Sequence, residues 1–188
     1  PEPQPGQFVM VSFGDRRVDP FLPRPFSVFD WEEKMLTLLI RVVGRGTALM
    51  GNLKEGAVLR ITGPLGTAFP DHEGRVTFVG GGIGIAPLYY AVKRSKARGK
   101  ACILGFRSAE QSYLTEEFSQ IAPVLFVSDD GSLGEKMFPH EKLEALAAAG
   151  DRPDLVVSCG PEPMMRAVHA VARRHGIRDV VSLEARMG

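Results

Sequence analysis

Residues 79–87 read VGGGIGIAP, with four glycines in five positions between an apolar run ending at Val79 and a helical pattern beginning at Ala86. A turn this bare demands a strand that feeds straight into a helix, which constrains the fold more than any other stretch. The spacing G-x-G-x-x-G is not met: counted from Gly80 the third glycine falls on Ile85, and counted from Gly82 it falls on Pro87. Gly80, Gly81, Gly82 and Gly84 remove Cβ atoms where the chain turns sharply. Backbone N–H groups and a helix N-terminus can then approach an anion such as a pyrophosphate. A tight turn that binds nothing would use the same glycines, with Pro87 near the helix start.

The chain on either side of this turn has two different periodicities. Up to about residue 73, β-branched apolar runs at 7–13, 25–29, 35–43 and 58–62 are separated by turn residues, which reads as antiparallel β. Residues 30–34 are a polar connection within that half, and 47–53 is its one short helical candidate. From about Arg75, strand candidates at 76–79, 101–106, 124–127, 155–158 and 180–183 alternate with amphipathic stretches. In one of these, Met164, Val168, Val171 and Ala172 share a helical face, and Gly176 stands at the stop; Leu143, Leu146 and Ala147 repeat the pattern before Gly150. Apolar strands between helices imply a doubly wound parallel sheet, which takes ligands beyond the carboxyl ends of its strands. The expected plan is an antiparallel β-barrel over residues 1–73 followed by a Rossmann-like domain over 74–188, with the boundary near 70–74 and the site in the cleft between them.

Composition narrows the partners. Of 188 residues 44% are apolar and 24% charged, and the net charge is +1 with no basic block interleaved with aromatics. That leaves no electrostatic footprint for nucleic acid or an acidic membrane. Uninterrupted apolar runs such as 38–40 and 124–127 are far too short to cross a bilayer, so a cytoplasmic location is expected. Cys102 and Cys159 fall in strand-like runs and read as ordinary buried thiols. The chain begins without Met and stops straight after a strand-like run, so it reads as part of a longer polypeptide.

Three further motifs suggest anion sites. Cys159-Gly160-Pro161 ends the fourth strand of the parallel set with a bare rim and a helix start. Arg24-Pro25-Phe26-Ser27 opens a β run, where an arginine fork can hold pyrophosphate by two charge-assisted bonds. Gly44-Arg45-Gly46-Thr47 supplies a bare loop and an N-cap threonine. Each alone is equally a solvated arginine, a strand serine or an ordinary turn. Together, two anion sites in two domains suggest two nucleotides.

The order of Arg24-Pro25-Phe26-Ser27, Gly46-Thr47, Gly80-Gly81-Gly82-Ile83-Gly84 and Cys159-Gly160-Pro161 resembles the ferredoxin–NADP reductase superfamily over nearly the whole chain. Residues 79–90, 128–132, 159–165 and 182–187 are most similar to the electron-transfer subunits of NAD-dependent dihydroorotate dehydrogenases. The resemblance implies FAD on the barrel and NAD(H) on the second domain. Arg24 would hold the FAD pyrophosphate, Pro25, Phe26 and Ser27 would line the isoalloxazine with Ser27 near N5, and Gly46 and Thr47 would bind phosphate. The glycine loop (Gly80, Gly81, Gly82, Gly84) and Cys159, Gly160 and Pro161 would guide the nicotinamide onto the flavin. No side-chain acid, base or nucleophile is then required, because the chemistry belongs to the cofactors.

By the same resemblance, a 2Fe–2S cluster is expected on a C-terminal segment absent from this sequence, since two scattered cysteines cannot supply four cluster ligands. The first barrel strand that the resemblance places before Gln7 is likewise expected to be missing from this sequence. The implied partner is an FMN-containing dihydroorotate dehydrogenase catalytic subunit in a heterotetramer. A hydrogenase diaphorase or a ferredoxin–NAD(P) oxidoreductase subunit would keep both nucleotide sites and change the partner; a non-catalytic interaction module would keep only the fold. NADH is expected over NADPH from the resemblance, although Phe106-Arg107-Ser108 ends its strand without the acidic residue that would hold a ribose 2′-OH.

Overall fold

In the computed structural model, which describes residues 1–13 and 22–183, the chain forms two sheets. Strands β1 (Phe8–Phe13), β2 (Arg24–Glu32), β3 (Met35–Leu38) and β4 (Leu59–Leu65) make an antiparallel sheet in the order β3-β2-β1-β4, an open half-barrel. Helix α1 (Arg45–Gly51) lies between β3 and β4 in sequence. Val9, Val11 and Val28 are buried on one face of this sheet, with Phe26, Trp31, Leu36 and Leu38 packed around them.

The second sheet has six parallel strands, β5 (Arg75–Gly81), β6 (Gly99–Phe106), β7 (Val124–Ser128), β8 (Glu135–Lys136), β9 (Leu155–Cys159) and β10 (Arg178–Val181), in the order β10-β9-β5-β6-β7-β8. Four helices cover it: α2 (Ile85–Arg94), α3 (Thr115–Ile121), α4 (Pro139–Ala148) and α5 (Glu162–Arg174). Alternate residues of each strand serve the two faces. Phe78, Leu104 and Val157 meet Ile85, Leu88 and Val92 of α2 and Phe118 of α3, whereas Val79, Ile103 and Val156 meet Leu143 of α4 and Val168 and Ala172 of α5. Burial on both faces is why these strands read as continuous apolar runs. The chain leaves β5 toward β6, β7 and β8, then returns to the other side of β5 for β9 and β10. The order therefore reverses between β5 and β9, the place where such sheets bind ligands.

Several local expectations change. The β2–β3 connection is not a five-residue polar loop: Asp30, Trp31 and Glu32 pair with Thr37, Leu36 and Met35. Only Glu33 and Lys34 turn, at φ 49° and 66°, the positive values that a two-residue hairpin with the twist of its strands needs. The run at 35–43 is a strand only as far as Leu38, because Leu39, Ile40 and Arg41 leave the sheet to line a cleft. The short helix starts at Arg45 with Gly44 as its N-cap, so Thr47 sits one turn inside and is not the cap. Strand β8 was not expected, since two charged residues at a sheet edge carry no apolar period. The last strand spans Arg178–Val181, two residues earlier than its apolar pattern suggested. The similarity at 184–187 lies outside the described residues.

Helices α4 and α5 are tied by Glu144, which accepts from His175 Nε2 at 2.7 Å and from Arg174. The His175 hydrogen bond, with help from Arg174, holds the Glu144 carboxyl below its ordinary value. A depressed carboxyl contributes stability that is present above its unfolded pKa and lost as pH falls through the folded one. Glu144→Gln should therefore lower Tm at neutral pH, leave it nearly unchanged in strong acid, and so flatten the acid limb of a Tm-against-pH profile. An acid limb parallel to the parent's would remove the carboxylate from this role.

Candidate functional site

The four glycines at the end of β5 do different work. A Cβ on Gly80 would stand 2.9 Å from Leu88 Cδ1 and 3.0 Å from Ile85 Cγ2, so this residue lets α2 settle on the sheet. One on Gly81 would meet Met164 Sδ at 2.7 Å, and one on Gly84 would fall 2.4 Å from the Gly160 Cα. Gly82 alone has nothing within 4 Å of its absent side chain, and its φ of +52° is a conformation that L side chains rarely adopt. Only Gly82 thus offers bare backbone to an open space. The other three serve close packing, and the contact between Gly84 and Gly160 seats Cys159-Gly160-Pro161 against the turn at the neighbouring strand end.

Beyond these strand ends lies a cleft of about 1110 Å³. It is lined by Gly81, Gly82, Pro161 and Met164, by Phe106 at the end of β6, Arg107 just after it and Asp129 just after β7, and by Leu39, Ile40 and Arg41 from the antiparallel half. Tyr113 packs edge-on against Phe106 with ring centroids 5.8 Å apart. Burial raises the Tyr113 phenol above its ordinary pKa, and the charge of Arg41 opposes that rise, which places Arg41 within electrostatic reach across the cleft. Neither Arg41, Arg107 nor Asp129 makes a side-chain hydrogen bond or ion pair among the described residues. Such unpaired charges, two cationic and one anionic, suit a ligand carrying phosphates and hydroxyls.

Also lining the cleft, Phe138 stacks on His140, with centroids 5.7 Å apart and planes 12° apart. Phe138 is 50% exposed, and His140 Nδ1 is buried without a partner. A buried ring nitrogen left unpaired costs free energy. The cleft thus offers a ligand an aromatic surface, two cationic groups and a carboxylate.

The residues expected to hold the other nucleotide lie on β2 and α1. Arg24 and Pro25 are exposed at the start of β2, Ser27 is half-buried, and Phe26 turns into the sheet's core. Gly46 is buried, and the Thr47 hydroxyl accepts from the N–H groups of Val43 (2.9 Å) and Gly44 (3.2 Å) and donates to the Gly44 carbonyl (3.0 Å). Thr47 thus closes its own turn. Open backbone there belongs to Gly44, whose absent Cβ has nothing within 4 Å. The exposed Arg24 side chain, which makes no hydrogen bond or ion pair among the described residues, fits a phosphate ligand; Cys159 and Cys102 are buried, and burial pushes the Cys102 thiol up to about 12.

Sequence reasoning reached Gly81, Gly82 and Pro161 of the cleft and missed Arg41, Tyr113, Phe138 and His140. The rule that sites gather at strand carboxyl ends was applied to β5 and β9; applied to β7, it would have singled out Asp129. Arg41 carried no such signal, since it follows a strand-like run.

Residues 78–170 match the oxidoreductase NAD-binding domain family. The chain aligns with a TM-score of 0.86 to the NADH-dependent reduced ferredoxin–NADP oxidoreductase structure described for flavin-based electron bifurcation, at 30% identity over 99% of this chain and 68% of that one. Two sheets of this kind with a cleft at the point of strand reversal define an NAD(P)H-linked FAD oxidoreductase of ferredoxin reductase-like fold. The chain is 40% identical over 187 residues to the electron transfer subunit of dihydroorotate dehydrogenase B (NAD(+)) of Caldanaerobacter subterraneus subsp. tengcongensis, covering 99% of this chain and 72% of that protein. It is 38% identical over 193 residues to the subunit of the same name from Fusobacterium nucleatum, covering 97% and 73%. It belongs to the family of dihydroorotate dehydrogenase B electron transfer subunits.

Proposed function

We propose that this chain takes hydride equivalents from NADH onto FAD and passes electrons through a 2Fe–2S cluster to an FMN-containing dihydroorotate dehydrogenase catalytic subunit, in a cytoplasmic heterotetramer. The observation that carries this reading is the cleft shared by the two halves, with Gly82 and Asp129 on the parallel sheet facing Arg41 from the antiparallel half. Bound flavin supplies the conversion between a hydride's electron pair and the single electrons a cluster accepts. The protein's part is to hold, orient and exclude water. Arg41 and Arg107 neutralise the dinucleotide phosphates, Gly82 brings bare backbone to them, and the Phe138–His140 wall receives the adenosine end. Arg24 holds the flavin pyrophosphate, with Pro25, Phe26, Ser27 and the turn at Gly46 and Thr47 shaping the rest of that site; Gly80, Gly84, Cys159 and Gly160 brace the glycine turn from behind.

The cluster does not fit these residues. Cys102 and Cys159 are buried in β6 and β9, and the described residues hold no group of three metal-ligating side chains. We assign the cluster to polypeptide outside the described residues, in keeping with relatives of which this chain covers 72% to 73%. No helix among the described residues is long and apolar enough to cross a membrane. The likeness to a ferredoxin–NADP oxidoreductase supports a second reading, in which a ferredoxin is the electron partner.

The deciding experiment reconstitutes the chain with FAD, records its visible spectrum, and mixes it with NADH in a stopped-flow instrument. Retained flavin absorbance that bleaches within a turnover is expected; no flavin retention would leave only a non-catalytic module. Turnover of the full gene product with the catalytic subunit or with ferredoxin then separates the two partners. Within the flavin site, Arg24→Ala removes a charge-assisted contact of about 1.5–3 kcal/mol, so FAD should bind roughly 10- to 100-fold more weakly. An unchanged dissociation constant in a flavin titration would take Arg24 out of the site.

A further inference from the structure

Helix α2 begins directly after the glycine turn and lies along β2, the strand that begins at Arg24. Tyr89 stacks on Phe29 with centroids 4.5 Å apart and planes 13° apart, and its other edge meets Phe118 at 5.3 Å. Tyr90 is fully buried among Val9, Val11 and Val28 of the antiparallel sheet, and its hydroxyl donates to the Pro3 carbonyl at 3.0 Å. One turn on, Lys93 donates to Asp30 at 2.7 Å and to Glu32 at 3.3 Å. Residues 28 and 29 thus meet 89 and 90, while 30 and 32 meet 93, so strand and helix run in the same direction. Ser27 precedes Phe29 by two strand residues, about 6.6 Å, and Gly84 precedes Tyr89 by five helical residues, about 7.5 Å. Ser27 of β2 and Gly84 of the glycine turn therefore stand level to within about 1 Å along the two elements.

We propose that α2 is the strut that aligns the two nucleotide sites, and that Lys93, Asp30, Phe29 and Tyr89 are positioning residues for transfer between them. The proposal rests on the function given above. The transfer being aligned moves one hydride, two electrons with one proton, from the dihydronicotinamide, which is oxidised, to the flavin, which is reduced. Such a step requires reacting atoms about 3–3.5 Å apart, and a misplacement of about 1 Å costs on the order of 100-fold in rate. Side-chain exposures of 28% for Lys93 and 17% for Asp30 make this pair better shielded than the rim pairs Arg94–Glu2 and Lys96–Asp71. The Asp30 carboxylate, accepting its hydrogen bond, holds the Lys93 ammonium above the ordinary lysine range, so the tie persists through neutral pH. None of the four side chains lines the cleft.

Two readouts test it, one of them free of cofactor. Nitroxide labels on Met35→Cys and Glu117→Cys, exposed positions in the two halves, report the distance between them in the apo-protein; the native cysteines are buried. The parent should give one narrow distribution, and Lys93→Met, Asp30→Asn or the gentler Phe29→Leu should broaden it. In single turnover with FAD and NADH, the same variants should slow flavin reduction about tenfold or more, while the FAD dissociation constant and the NADH KM stay within about twofold. The exchanged pair Asp30→Lys with Lys93→Asp should narrow the distribution again and recover much of the rate. A narrow distribution with a rate within about twofold of the parent, or a rate loss matched by equal losses in nucleotide binding, would overturn the alignment role. Failure of the parent itself to accept hydride would instead overturn the proposed function, with the distance measurement still reporting on the strut.

Discussion

Gly84→Ala is expected to be among the most damaging single-methyl changes in this chain. Its Cβ would stand 2.4 Å from the Gly160 Cα, 2.5 Å from the Gly160 nitrogen and 2.6 Å from the Cys159 carbonyl carbon, all backbone atoms that cannot swing aside. Ordinary contact begins near 3.4 Å, so the glycine turn and the rim after β9 must separate by about 1 Å. Overpacking of this kind costs about 1–3 kcal/mol, which for a chain of this size lowers Tm by roughly 2–12 °C. The functional effect should be larger than the loss of stability. Gly82 and Pro161 line the cleft on either side of that contact, and parting them by about 1 Å should reduce kcat/KM for NADH on the order of 100-fold. FAD retention should be unchanged, because Arg24 and α1 lie on the other sheet. Gly82→Ala is the informative contrast: it meets no neighbour, carries only left-handed strain of about 1–2 kcal/mol, and places its methyl in the open cleft. Parental Tm and NADH kinetics in Gly84→Ala would show that the two loops do not have to touch.

That contrast shows what could be read from the residues and what could not. Apolar strands at regular intervals with amphipathic stretches between them imply a parallel sheet covered on both faces, and Leu104 and Val156 show the physical cause, since alternate side chains must be apolar on each side. The glycines were legible as a tight strand-to-helix turn and not as individuals. A sequence records that Gly80, Gly84 and Gly160 lack side chains, but only the packed structure shows that the missing space belongs to Leu88 or to another backbone. Thr47 was misplaced because capping preference is local, and an N-cap and an interior threonine use the same hydroxyl on the same turn. Arg41 was hidden by periodicity: the apolar residues before it continue the strand pattern of β3, although Leu39 and Ile40 serve the cleft wall and not the sheet. The alignment between α2 and β2 was out of reach altogether, because Lys93 and Asp30 lie 63 residues apart and nothing in their neighbourhoods pairs them.

Asp129→Asn is expected to erase a preference for NADH over NADPH. Sequence alone left that preference resting on resemblance, because β6 is followed directly by Arg107, a residue suited to a 2′-phosphate, with no acidic residue beside it. The fold supplies the missing carboxylate from the next strand. Asp129 follows β7 directly, its backbone N–H is held by the Phe106 carbonyl at 3.1 Å, and its side chain lines the same cleft as Arg107. A carboxylate there accepts from a ribose 2′-OH, a bond to a charged group contributing about 1.5–3 kcal/mol, and it repels a 2′-phosphate as well. Arg107 opposes this, but an exposed ion pair in water contributes only about 0–1 kcal/mol, so the carboxylate should prevail. The parent should therefore favour NADH. Asp129→Asn should lower the NADH-to-NADPH ratio of kcat/KM by roughly 10- to 100-fold, and Arg107→Gln should raise it modestly. The neighbouring carboxylate provides the control: Asp130 accepts from the Ser132 N–H at 2.9 Å and its hydroxyl at 2.6 Å, bonds that hold its carboxyl below the ordinary range and commit it to its own turn. Asp130→Asn should loosen that turn and leave the ratio unchanged. If Asp130→Asn moves the ratio and Asp129→Asn does not, the ribose belongs to Asp130, and a parent enzyme faster with NADPH would reverse the balance between Asp129 and Arg107.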